Sequence, residues 1–343
     1  MTIANLTRRT LLATGLGGFT GAAGWSASAF SAPPAYKIFA TGLQAPESPK
    51  PQHDGSVVLV EMARGTLSRV NPAGRISVIA ELGGNPSGVA IGPDGAAYVC
   101  NSGSPIFRPA GNLMVPAPFK PSEGGSIQRV NLSTGAFTTL YEAVDGAPLQ
   151  GPDDLVFDRR GGFWFTASST QHPNSNDRGA AYWATTDAKT IRRVAWVTGA
   201  NGIALSPDGG TLYVVQSGVS RVLAFSVAGP GQLVTGSDGE ASGKVLWDAG
   251  GKFGLDSMAV DSAGNAVVGA IQHGDIVSLP REGALVVIAP DGTLVDMIAL
   301  PDRFVTNVGF GGPGLRTAYA SLTTTGQLAA IDWPRPGLAL AYP

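Results

Sequence analysis

A chain of 343 residues, 43% of them hydrophobic and 14% charged, has enough apolar side chain for a sizeable globular core. Its formal charge of -2 lacks the strong basic excess of proteins that bind nucleic acid or sit on anionic membranes, and neither partner is expected. Glycine (48) and proline (25) are abundant without a collagen period, and turn residues between short apolar runs favour an all-β fold.

The chain opens on a targeting segment. "LTRRTLLATGLGGFTGAAGWSASAFSA" has a basic start at Arg8-Arg9, a short glycine-rich apolar stretch, and then small residues. The paired arginines before Thr10-Leu11-Leu12 resemble a bacterial twin-arginine export signal, and the stretch is short for a membrane span. Cleavage after Ala29 would remove Arg8 and Arg9 and no acidic residue, leaving a charge of -4. The expectation is a signal over residues 1–29 and a periplasmic or secreted protein with no membrane contact after its removal.

"YKIFATGL", from Tyr36, then reads as a lone strand. After it, one frame of nine residues ending in a turn glycine recurs six times. The copies are "ESPKPQHDG" from Glu47, "SGVAIGPDG" from Ser87, "DDLVFDRRG" from Asp153, "NGIALSPDG" from Asn201, "DSMAVDSAG" from Asp256 and "TNVGFGGPG" from Thr306. Their starts lie 40, 66, 48, 55 and 50 residues apart. Each is followed by a second strand and an outer hairpin, and units of this length mark β-propeller blades. The spacing predicts a single six-bladed β-propeller over residues 33–343, closed by the N-terminal strand as the outer strand of the last blade.

Strand direction then places the first residue of every frame on one face, near the central axis, with the loops that follow the second strands. Those heads are Glu47, Ser87, Asp153, Asn201, Asp256 and Thr306. Three carboxylates and one amide converging on an axis repel unless a cation lies between them. Hard oxygen donors of this kind suit one divalent metal, calcium before zinc, with Glu47, Asp153, Asn201 and Asp256 as ligands. Such a cation polarises an ester or lactone carbonyl and acidifies water, and Asp256 first or Asp154 second could take the proton. Ser87 has no histidine beside it in sequence, and Cys100, the only cysteine, sits at a strand end as a buried hydrophobe.

The same frames resemble a known family. "APES" at Glu47, "DDLVFDRRGGFWFT", "ANGIALSPDG", "LDSMAVDSAG" and "TNVGFGG" are similar to the senescence-marker-protein, gluconolactonase and luciferin-regenerating-enzyme family. The resemblance implies a six-bladed propeller with an axial divalent metal, often calcium or zinc, and lactone hydrolysis. It implies that Glu47, Asn201 and Asp256 are metal ligands and that Asp154 matches the aspartate of an Asn-Asp pair. Asp153 stands where that family has the asparagine, so it either binds metal with extra negative charge or serves the substrate.

Substrate contacts are expected from the site-face loops. The long loop over residues 101–125 offers Phe107 and Arg108, and the loops after two second strands offer His172 and His273, whereas His53 falls on the opposite face. The leading function is a metal-dependent hydrolase of a small-molecule lactone or ester. The alternatives are a phosphotriesterase-like hydrolase at the same metal, a non-enzymatic periplasmic binding propeller with a structural cation, and a metal-free strictosidine-synthase-like relative.

Overall fold

A computed structural model describes residues 34–103, 106–117, 124–168, 179–272 and 282–342. Six antiparallel sheets follow one another in it, five of four strands and one, the fourth, of five, in which Arg221–Gly229 pairs with both Gln232–Leu233 and Lys244–Asp248. Their innermost strands are Pro46–Pro51, Pro86–Ile91, Pro152–Phe157, Ala200–Leu205, Phe253–Val260 and Val305–Gly311. Each innermost strand lies against those of its two neighbours, and the first lies against the last. The sheets are thus the blades of a closed propeller.

Blades 1 to 5 each take their four main strands in sequence order. Blade 6 instead completes its sheet with Tyr36–Thr41, antiparallel to Gln327–Asp332 in the register Tyr36↔Ile331 to Thr41↔Gln327. The expected closure by the N-terminal strand is therefore present. It ties the two ends of the propeller by backbone hydrogen bonds and leaves no gap in the ring.

The frame has a local cause at each end. The glycines that close the six frames, Gly55, Gly95, Gly161, Gly209, Gly264 and Gly314, all have φ between +62° and +85°, a region that glycine enters without steric cost. In five of them an aspartate accepts a backbone N–H two residues on, as in Asp94 from Ala96 (3.2 Å) and Asp208 from Gly210 (2.9 Å). At the head of every frame the pairing between first and second strands slips. The shifts fall between Glu47 and Lys50, Pro86 and Gly88, Pro152 and Leu155, Ala200 and Ile203, Leu255 and Met258, and Val305 and Val308. A bulge re-aims the side chains it releases, so all six blades turn the same short stretch towards the axis.

Two stretches differ from a plain reading of the sequence. Pro49 and Pro51 argue against a strand, yet Pro46–Pro51 is the innermost strand of blade 1. An innermost strand pairs on one side only, and the slip takes Pro49 out of the ladder. Within the long loop, Phe107–Ala110 and Leu113–Pro116 pair as a hairpin across Gly111 (φ +61°). It reaches from blade 2 to blade 6, where the Met114 N–H donates to the Thr324 carbonyl (2.8 Å).

Candidate functional site

The six frame heads meet at the axial mouth. Inner strands approach so closely there that a side chain at two positions would not fit. A Cβ on Gly88 would lie 2.4 Å from the Asp153 carbonyl oxygen, and one on Gly202 would lie 2.6 Å from Cα of Ser257. These two glycines let blades 2 and 3, and blades 4 and 5, bring Asp153, Asp154 and Asp256 inwards.

Glu47 is almost fully buried. Its Oε2 accepts a short hydrogen bond from Thr306 Oγ1, and its Oε1 has no hydrogen-bond partner. Thr306 shares a further hydrogen bond with Thr323 Oγ1 (2.7 Å), which donates to the Pro46 carbonyl (3.0 Å) and fixes the arrangement from behind. Ser48 holds φ at +53° beside Glu47, kept there by Val89, whose N–H donates to Ser48 Oγ (2.9 Å).

Asn201 and Asp256 face each other across blades 4 and 5. Ser257 Oγ donates to Asn201 Oδ1 (3.2 Å), and the Asn201 carbonyl accepts a short hydrogen bond from Thr166 Oγ1. Asn201 is therefore more than punctuation before a strand, since both its backbone and its amide are held at the axis. Asp154 is buried and bridges blades, accepting from Leu155 N (2.9 Å) and Ile203 N (3.4 Å).

These carboxylates disturb one another. Burial, and then the charge of Asp256, push Glu47 well above the usual carboxylate range. Burial, Asp256 and Asp154 do the same to Asp153. Asp256 is raised to about 7, by burial foremost and then by Asp154, against the hydrogen bond from Asn201. Asp154 is raised less, because the nearby Lys50 ammonium opposes the effect of burial. A set of buried carboxylates of this kind, one with an orphaned oxygen, has the donor chemistry of a hard cation site. Among the described residues no three His, Cys, Asp or Glu side chains stand together at metal-ligand spacing, so a cation here would draw on the Asn201 amide and on water as well.

The expected substrate contacts divide. The Phe107 ring is buried against Ala45, Met62 and Phe304, edge-to-face with Phe304 at 6.0 Å between centroids, and so anchors the hairpin to the propeller. Arg108, next to it, is exposed. His172 and His273 lie outside the described residues. His53 is exposed in the first frame turn, on the face opposite the ring. Cys100 is buried, and burial pushes its thiol up, away from nucleophile chemistry.

Lys50 is the residue that motif reading passed over. It lies between two prolines and reads as surface charge, yet it is half-buried with Asp154 and Glu47 near its ammonium. The signal that finds it is the fourth position of the frame. There the other blades carry Ala90, Val156, Ala204, Ala259 and Gly309.

Comparison with known proteins covers the whole site. The family model described as the SMP-30/Gluconolactonase/LRE-like region matches residues 45–325. Lactonase drp35 of Staphylococcus epidermidis is 25% identical over 256 residues, spanning 74% of this chain and 71% of that protein. The lactonase drp35 of Staphylococcus saprophyticus is 29% identical over 234 residues, 67% of this chain and 64% of that one. Among solved structures, a gluconolactonase from Xanthomonas campestris superposes with a TM-score of 0.65 at 18% identity, covering 88% of this chain and 90% of that one. A calcium-binding regucalcin from Agrobacterium tumefaciens gives 0.64 at 18%, over 90% and 98% of the respective chains. At that identity the two structures share the fold.

Proposed function

The chain belongs to the SMP-30/gluconolactonase/LRE-like family, and from that premise we propose that it hydrolyses lactones at the axial ring, with one divalent cation held there. The observation that carries the proposal is the orphaned oxygen of buried Glu47 among carboxylates that burial and mutual repulsion push above their ordinary range, a cost that a cation between them would relieve. Glu47, Asp153, Asn201 and Asp256 are the residues that would hold it, and an all-oxygen set favours calcium over zinc. The relatives named as lactonases support the substrate class, and the regucalcin described as calcium-binding supports the choice of ion.

When bound, such an ion polarises a lactone carbonyl and acidifies a neighbouring water. The chain's own residues divide the remaining work. Asp256 is half-buried at the axis, open enough to meet a water bound there, and it is assigned as general base. Asp154 has both oxygens committed to backbone N–H groups and lies deeper, which suits it to hold blades 3 and 4 in register rather than to move protons. The hairpin Phe107–Pro116 extends from blade 2 to blade 6 and presents exposed Arg108 to substrates that carry a negative group.

The test is proton release on a panel of small and hydrophobic lactones, with calcium-loaded and chelated protein. Hydrolysis is expected only with the ion present, and Asp256→Asn is expected to lower kcat by about 100-fold or more, as loss of a general base does. Calcium-loaded protein that opens no lactone would reject the proposal and direct attention to phosphotriesters.

A further inference from the structure

Below the ring, towards the face opposite the site, a cavity of about 480 Å3 runs along the propeller axis. The fourth residues of all six frames line it: Lys50, Ala90, Val156, Ala204, Ala259 and Gly309. Ile91, Leu155, Ile203 and Met258 add apolar wall. The C-terminal segment Leu338–Tyr342 forms one side of the cavity, held by the Leu338 N–H on the Val260 carbonyl (3.0 Å) and by the Tyr342 ring edge-on to Phe157 at 5.6 Å.

Five small or apolar residues and one lysine occupy equivalent positions around this space. The Lys50 ammonium enters no hydrogen bond or ion pair among the described residues; burial lowers its pKa, and the charges of Asp154 and Glu47 oppose that only in part. It is a lone donor where the cavity wall is apolar, and the charged Asp158, Arg159, Arg160 and Asp208 line the cavity further out, at the frame turns. The two carboxylates beyond it disfavour an anion there, so an uncharged acceptor matches it best. The volume lies within the range of small-molecule sites.

We propose that this axial cavity is a second ligand site, for an uncharged apolar molecule with one carbonyl acceptor, its oxygen on Lys50 Nζ and its hydrocarbon against Ile91, Leu155, Ile203 and Met258. The site lies on the opposite side of the ring from the proposed chemistry and does not depend on lactone hydrolysis.

The experiment is calorimetric titration of the full chain, with chelator present, using octan-2-one, a ketone with no ester bond to cleave. Saturable binding at one per chain is expected. Lys50→Met keeps the length and removes the donor, and it is expected to weaken binding about tenfold, the effect of one hydrogen bond. Ala259→Leu fills the chamber and is expected to abolish binding while circular dichroism remains that of the parent. Absence of saturable binding to the folded parent, or equal affinity in parent and Ala259→Leu, would overturn the proposal. If Lys50→Met does not fold, the Ala259→Leu comparison decides alone.

Discussion

Asp256 shows at the scale of one side chain what the axial ring does. Its unfolded value is that of an ordinary aspartate, about 3.9, and in the folded protein burial foremost raises it to about 7. The folded state therefore binds the proton more tightly. The associated stability is complete below about pH 4 and is lost as pH rises through 7. Asparagine at this position cannot ionise. With chelator present, the melting temperature of Asp256→Asn relative to the parent is expected to climb between pH 5 and pH 8, as read by scanning calorimetry. A difference that stays flat over that interval would contradict the placement of Asp256 among buried carboxylates. Added calcium is expected to stabilise the parent more than the variant at pH 8, since the ion substitutes for the proton.

At the scale of the element, the inner strand is the unit on which the site depends. Each pairs on one side and slips at the frame head, and those of blades 2 and 4 approach the next strand through a residue without a side chain, Gly88 and Gly202. Gly202→Ala is expected to force the inner strands of blades 4 and 5 apart, because its Cβ would stand 2.7 Å from the Asp256 carbonyl oxygen. The cost is on the order of 1–3 kcal/mol, as for other overpacked positions, and lactone hydrolysis is expected to fall with it because Asp256 moves. Denaturant midpoints and kcat measured on the same preparation check both effects. Unchanged stability would show that the strands separate freely, which is incompatible with the close approach. The hairpin at residues 107–116 was not legible in advance, since Pro109 and Pro116 read as loop; a two-stranded ribbon with no further strand partner tolerates them.

For the whole molecule, closure is the organising event. The strand Tyr36–Thr41 joins the last blade, so the ring depends on a segment that follows the expected cleavage point at Ala29 by only a few residues. Processing there leaves the closing strand intact. We propose export by the twin-arginine route on the sequence at Arg8-Arg9, and replacing both with lysine is expected to retain the protein in the cytoplasm on fractionation of the bacterial host. Export that is unaffected would point to another signal.

The six-fold frame, its turn glycines and the acidic or amide heads at Glu47, Asp153, Asn201 and Asp256 could be read from the sequence alone. They rest on local chemistry, namely alternation, positive φ at glycine and strand direction, which repeats from blade to blade. Thr306 as the partner of Glu47, Ser257 as the partner of Asn201, and Lys50 on the axis came only with the tertiary structure. These contacts join residues as far apart as positions 47 and 306, and whether a lysine between prolines faces water or the axis depends on a register slip that neighbouring strands impose. The cavity on the far face belongs to the same class. No local signal marks a space enclosed by the fourth residues of six separate strands and a C-terminal segment; it exists only once the ring has closed.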